Sequence, residues 1–258
     1  MLPLIICLCP TYKRSEMLAN SVQCFLDQDY PNKYLLVFDD AAQHSLQQEE
    51  TWEVVSLLDR YSTLSQKFNA MGFWAMDNII PKFNQQDIIF AVWEDDDIYL
   101  PHHLSGIAAQ YKPGEATFFV PDGAWSNYDQ ERGTLIQEGS DGRFHAGWAY
   151  SVDLWKRVSG YPLTTRLDFD QRMNAICRRE ADRVSRYNTY PSYVYRWGSG
   201  PWNGSQVGEK GWRQFWDRLG DLQVPKVEKL VPRYDDETLL VMESYAEKLD
   251  AGAIGSRD

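Results

Sequence analysis

The chain opens on an uninterrupted apolar run, residues 4–9, broken by Pro10-Thr11-Tyr12. A short continuous run of this kind predicts a strand covered on both faces. Met17, Leu18, Val22 and Phe25 follow at helical spacing behind Ser15, which predicts a capped helix from Ser15 to about Leu26. Pro31-Asn32 marks a turn, and residues 34–38 are a second apolar run that ends on Asp39-Asp40. Strand, helix and strand in this order predict a parallel pair joined by a right-handed crossover. The pattern then predicts one helix over 49–61 and another over 66–80, stopped by Pro81. A third strand over 87–93 runs straight into Glu94-Asp95-Asp96-Asp97, and a helix from Leu100-Pro101 to Tyr111 precedes a strand at 117–120.

The second half is less regular. Residues 138–145 are polar and Gly-rich; 147–158 predict a strand followed by a helix, 168–179 a helix and 193–197 a strand. A Gly-rich loop over 198–208 precedes helices over 211–219 and 236–249. Three strands of the first half therefore end on Pro-Thr-Tyr, on Asp-Asp and on the acidic cluster. Open parallel sheets bind ligands beyond the carboxyl ends of their strands, so all three motifs fall where such a sheet places its ligand.

A length of 258 residues fits one α/β domain with a small appendage. A net charge of −11 disfavours a nucleic-acid or anionic-membrane partner, although Arg166, Arg172, Arg178, Arg179, Arg183, Arg186 and Arg196 form a local basic stretch. No run of about 18 apolar residues occurs, so no membrane span is expected. Cys7, Cys9, Cys24 and Cys177 show neither metal-type nor disulfide-type spacing, which points to a reducing, cytoplasmic setting. His102 and His103 read as solvated or cap-like residues of the helix after the acidic cluster.

The acidic cluster carries the chemistry. Adjacent carboxylates repel one another and are at home in water or around a hard cation such as Mg²⁺ or Mn²⁺. Pro10-Thr11-Tyr12-Lys13-Arg14, Gln28-Asp29-Tyr30-Pro31, Val37-Phe38-Asp39-Asp40 and Asp95-Asp96-Asp97-Ile98-Tyr99-Leu100-Pro101 together resemble the family-2 type glycosyltransferases. The resemblance is strong over residues 4–110, weaker over 145–175 and faint beyond. It implies a GT-A type α/β fold: a mostly parallel sheet flanked by helices, with a Rossmann-like nucleotide-binding half and a small helical C-terminal extension. The implied boundaries are 1–210 for the transferase domain (1–110 for the nucleotide-sugar half, 111–210 for the acceptor half) and 211–258 for the extension.

The resemblance also implies roles. Pro10, Tyr12, Arg14, Asp40 and Lys67 line the nucleotide, Asp95 faces the ribose, and Asp96, with Asp97 assisting, holds Mn²⁺ or Mg²⁺ on the diphosphate of a nucleotide-sugar donor, UDP-sugar favoured. Transfer is implied to be inverting. Such transfer needs a base for the acceptor hydroxyl, and Asp170 takes that place at a helix start, ahead of Asp168. Trp148, Trp202 and Asn203 are acceptor or lid candidates; Asn203 stands where relatives commonly carry a metal-binding His. The acidic balance favours a saccharide or small-molecule acceptor. The arginine stretch leaves open a hydroxylated DNA base or a lipid-linked phosphate. A non-catalytic nucleotide-sugar binder and a diphosphate hydrolase are the competing readings.

Overall fold

Leu4–Thr11 forms strand β1, buried along its whole length, and Ser15–Leu26 forms helix α1. Lys33–Asp39 is β2, Gln47–Gln48 is β3 and Trp52–Ser56 is β4. These belong to a computed structural model that describes residues 2–84, 87–129, 134–140, 142–164, 168–187, 190–196 and 221–250. The helix expected over 49–61 is therefore strand β4. Trp52, Val54 and Val55 favour a pleated surface, and β4 pairs in parallel with β2, placing Leu35 opposite Trp52 and Val37 opposite Val54.

Leu64–Trp74 is α2, capped by Thr63, whose side chain accepts from the Gln66 N–H. Pro81 does not stop this region. A π-type turn, Ala75–Ile79, leads into a short helix α3, Ile80–Phe83, with the proline in its first turn. There its missing N–H costs nothing. Ile88–Val92 is β5, Ile98–Tyr99 is β6 and His103–Ala108 is α4. Thr117–Pro121, Gly123–Asp129, Thr134–Gly139 and Ala149–Ser151 are β7 to β10. Val152–Val158 is α5, Phe169–Glu180 is α6, Arg183–Tyr187 is β11, Tyr193–Tyr195 is β12 and Asp236–Asp250 is α7.

Among the described residues, the main sheet runs β11-β7-β10-β5-β1-β2-β4-β3 and a smaller one runs β6-β12-β8-β9. The centre β5-β1-β2-β4 is parallel. Side chains of β1 alternate between two cores: Ile5, Cys7 and Cys9 pack with α1, whereas Leu4, Ile6 and Leu8 pack with α2 and α5. Burial on both faces is what the unbroken apolar run encodes. Register then assembles the ligand end. Leu8 lies opposite both Leu36 and Val92, and Thr11 lies opposite Asp39, so the loops after β1, β2 and β5 leave the sheet side by side.

The C-terminal segment packs on this frame. Leu230 is buried in the α1-side core, and His44 bridges in parallel to Val227 at the β3 edge. No helix among the described residues is long and apolar enough to cross a membrane.

Candidate active site

The loop after β1 turns sharply, with Lys13 in the left-handed region at φ 57°. This aims Arg14, the residue just ahead of α1, at the loop after β5. Its guanidinium reaches Asp95 at 2.6 Å and Asp96 at 2.9 Å. The Asp95 side chain is wholly buried and held by the Arg14 guanidinium. Burial pushes the Asp95 carboxyl up to about 6, against the pull of Arg14.

Asp96 is the more open of the two, with its side chain 15% exposed. Asp97 turns inward: one of its oxygens accepts the Arg196 backbone N–H at 3.0 Å, and burial raises its carboxyl well above the ordinary value. Among the described residues no three His, Cys, Asp or Glu side chains converge into a metal cage. Asp96 with Asp95 beside it suits a hard cation that takes most of its ligands from phosphate and water, the usual habit of Mg²⁺.

Asp40, after β2, and Lys67, on α2, the residues expected to line a nucleotide, meet each other. Asp40 is met by Lys67 Nζ at 2.6 Å and by the Tyr61 N–H at 3.0 Å, and the same ammonium donates to the Thr11 carbonyl at 2.7 Å. Lys67 is buried, which lowers its pKa although Asp40 pulls it back up. Asp39 is an internal brace: its oxygens accept from the Ala41 and His44 N–H groups at 2.9 and 2.8 Å. Tyr12 lies under the Arg60 guanidinium, 4.0 Å from its ring centre, and Pro10 sits at the buried end of β1.

Asp168 and Asp170, the two acids expected near an acceptor, stand at the start of α6. Asp170 is in its first turn and accepts from the Gln171 N–H at 2.7 Å; Asp168 is held by Arg172 at 3.1 Å. Phe169 between them packs on His145 at 5.5 Å and on Tyr161 at 5.8 Å. His145 in turn meets Glu94 at 2.7 Å, so α6 begins next to the acidic loop. Trp148 is fully buried against Phe118 and His145 and presents no face to a sugar. Trp202 and Asn203 lie outside the described residues.

Other expectations change. His103 is not solvated: it is fully buried, 2.8 Å from the Ser192 hydroxyl, and His102 stacks on Tyr245 with ring centres 5.4 Å apart. The basic stretch is largely matched by acids: Arg172 with Asp168, Arg179 with Glu180, Arg183 with Glu115, Arg186 with Asp122 and Arg196 with Asp235. Arg166 lies outside the described residues. Sequence reasoning passed over Glu94 and Tyr161. The signal available was Glu94 heading the acidic cluster, with His145 just ahead of Gly147-Trp148.

The fold has solved counterparts. The chain is similar to S. aureus TarS residues 1–349 at 11% identity and TM-score 0.57, covering 98% of this chain and 75% of that one. The same figures hold for that protein in complex with UDP. In complex with UDP-GlcNAc the TM-score is 0.54 at 11% identity, over 98% of this chain and 76% of that one. No curated protein sequence matches the chain. The family model described as glycosyl transferase family 2 matches residues 7–184, well over half of the chain. With its strand-end motifs gathered at one edge of a GT-A sheet, the chain belongs to glycosyl transferase family 2 and is a glycosyltransferase.

Proposed function

We propose that the enzyme moves a sugar from a nucleoside-diphosphate donor, UDP-sugar favoured, to an acceptor hydroxyl with inversion. The observation that carries this reading is the convergence of Arg14, Asp95 and Asp96 at the carboxyl ends of β1 and β5. Tyr12, Asp40 and Lys67 border the nucleotide, and Pro10 shapes the turn that brings them together. That the same fold binds UDP in TarS supports uridine as the base. Asp95 takes a ribose hydroxyl, and Asp96 holds Mn²⁺ or Mg²⁺ with the diphosphate, Asp97 bracing the loop from behind. A divalent cation there neutralises the charge that the leaving diphosphate gains.

Asp170 serves as the base: it takes the proton of the acceptor hydroxyl as that oxygen bonds to the anomeric carbon and the nucleoside diphosphate leaves with the bonding pair. Asp168, tied to Arg172, is the runner-up. The pairing of the arginine stretch with acids supports a saccharide or small-molecule acceptor over an anionic one. Residues 1–210 form the transferase domain and 211–258 its extension. Four buried thiols fit a reducing, cytoplasmic setting.

Calorimetric titration with UDP and GDP, each with Mn²⁺, Mg²⁺ or EDTA, tests the donor site. One nucleotide binds more tightly with metal, and Asp96→Ala loses that gain. Absence of binding under every condition, or indifference to metal, overturns the reading.

A further inference from the structure

Glu94 heads the acidic loop, yet it does not join Arg14. Its carboxylate meets His145 Nδ1 at 2.7 Å, and its backbone N–H donates to the Tyr99 hydroxyl at 2.8 Å. On the far side of the imidazole, Nε2 meets the Tyr161 hydroxyl at 2.6 Å, and Tyr161 meets the Tyr150 hydroxyl at 2.9 Å. The ring cannot swing away, because Phe68, Trp148, Tyr161 and Phe169 enclose it at centroid distances of 5.3, 5.0, 5.7 and 5.5 Å. These rings come from α2, from the entry to β10, and from α6 and the turn ahead of it, so the imidazole stands where the two halves meet.

Counting hydrogens gives the chain a direction. Among the described residues, the Tyr150 hydroxyl has Tyr161 as its one acceptor. If Tyr150 donates to Tyr161, Tyr161 donates to Nε2 and Nδ1–H donates to Glu94, every hydrogen is used and the chain ends on the carboxylate. The opposite direction leaves the Tyr150 hydrogen buried without an acceptor, a state that folded proteins avoid. The His145 side chain is 7% exposed and that of Glu94 is 26% exposed. The chain therefore runs from the core to a carboxylate that solvent still reaches.

We propose that His145 is a positioning residue: through its Nδ1–H it pins the Glu94 carboxylate on the protein side of the acidic loop, so that a cation at Asp96 meets no further anionic ligand. The inference rests on the donor-site reading above. A cation held by fewer carboxylates is held less tightly and leaves more readily with the diphosphate product. Released from His145, Glu94 is two residues from Asp96 and free to turn toward the cation.

Mn²⁺ affinity, read from the free-ion electron paramagnetic resonance signal with and without UDP, tests this directly. His145→Leu tightens Mn²⁺ binding by about three- to tenfold, the scale of one added carboxylate near a divalent ion in a partly solvated site. The double variant His145→Leu/Glu94→Gln loses that gain, as a double-mutant cycle requires of coupled residues. His145→Asn, whose side-chain amide can replace Nδ1–H, stays close to the parent and guards against misfolding of the leucine variant. In ¹⁵N-histidine spectra of the parent, His145 carries its proton on Nδ1. Unchanged Mn²⁺ affinity in His145→Leu, a gain that persists in the double variant, or an Nε2–H ring overturns the proposal. A parent protein that binds no Mn²⁺ under either condition overturns the donor-site reading itself.

Discussion

His103 lies among the rings of Trp93, Tyr99, Tyr187 and Tyr193, and burial lowers its pKa from 6.5 to about 3. The unfolded chain takes up the proton near 6.5 while the folded chain refuses it until about 3. The stability this gives is complete above pH 6.5 and is lost as the pH falls toward 3, at up to about 1.4 kcal/mol per pH unit. Urea unfolding at pH 6.5 and 5.5 checks this. His103→Gln keeps a donor for Ser192 but does not titrate, so it loses about 1 kcal/mol less across that step than the parent. Parallel losses in the two proteins would show that the cost of charging His103 is small. A second residue-scale prediction concerns Gly160, at φ +76° with the Asn69 side-chain oxygen 2.3 Å from where a Cβ would stand. That oxygen accepts the Tyr161 N–H at 2.7 Å, so Gly160→Ala both strains the backbone and pushes on the segment that carries Tyr161. A loss of about 1–3 kcal/mol in chemical denaturation is expected. The sequence announced neither residue. A histidine two residues after Pro101 reads as polar until the tertiary fold closes over it, and the demand on Gly160 comes from Asn69, 91 residues away in the chain.

At the scale of elements, β1, β2 and β5 were legible because each is covered on both faces, and an unbroken apolar run has few alternatives. Their ends were legible too, since a strand that stops on acidic residues has reached the edge of the sheet. β4 was not. Trp52 and Val54 face one core and Val55 the other, while Glu53 between them is buried against Tyr34 and Trp74, at 3.2 and 2.9 Å. A carboxylate inside a strand of this kind breaks the apolar run and imitates one turn of an amphipathic helix. The link between α2 and β2 carries a prediction. Lys67 is the buried counter-charge of Asp40, and removing one partner of a buried pair strands the other. Lys67→Met is expected to cost about 3–5 kcal/mol in urea unfolding, and Lys67→Met/Asp40→Leu to regain most of it. Nucleotide affinity falls in both variants if Asp40 contacts the base. An unaltered affinity in a folded double variant places the base elsewhere.

For the whole molecule, the division between a transferase domain and a helical extension was drawn from a fading resemblance, and a resemblance that fades carries no information about packing. The described part of that extension is tied to the nucleotide half by hydrogen bonds. Lys13 Nζ donates to the Leu222 carbonyl at 2.6 Å, and the Val227 N–H donates to the Gln43 carbonyl at 2.8 Å. The Gln47 side chain accepts the Leu230 N–H at 3.0 Å. Arg196, whose own backbone N–H braces Asp97, reaches Asp235 at 3.1 Å and Thr238 at 2.7 Å at the start of α7. The segment thus spans from the β1 loop and β3 to the acidic loop, and its one deeply buried apolar anchor among the described residues 221–235 is Leu230. Leu230→Ala is expected to cost about 2–5 kcal/mol of stability. Ending the chain at residue 220 is expected to cost more, because it also bares the β3 edge and leaves Arg196 buried without Asp235. If the segment is part of the folding unit, Leu230→Ala lowers the unfolding midpoint and the shortened chain loses its cooperative transition. If the shortened chain unfolds cooperatively at the parent midpoint, residues 221–258 are a true appendage, and the contacts at Lys13, Gln43 and Gln47 contribute nothing that holds the nucleotide half together.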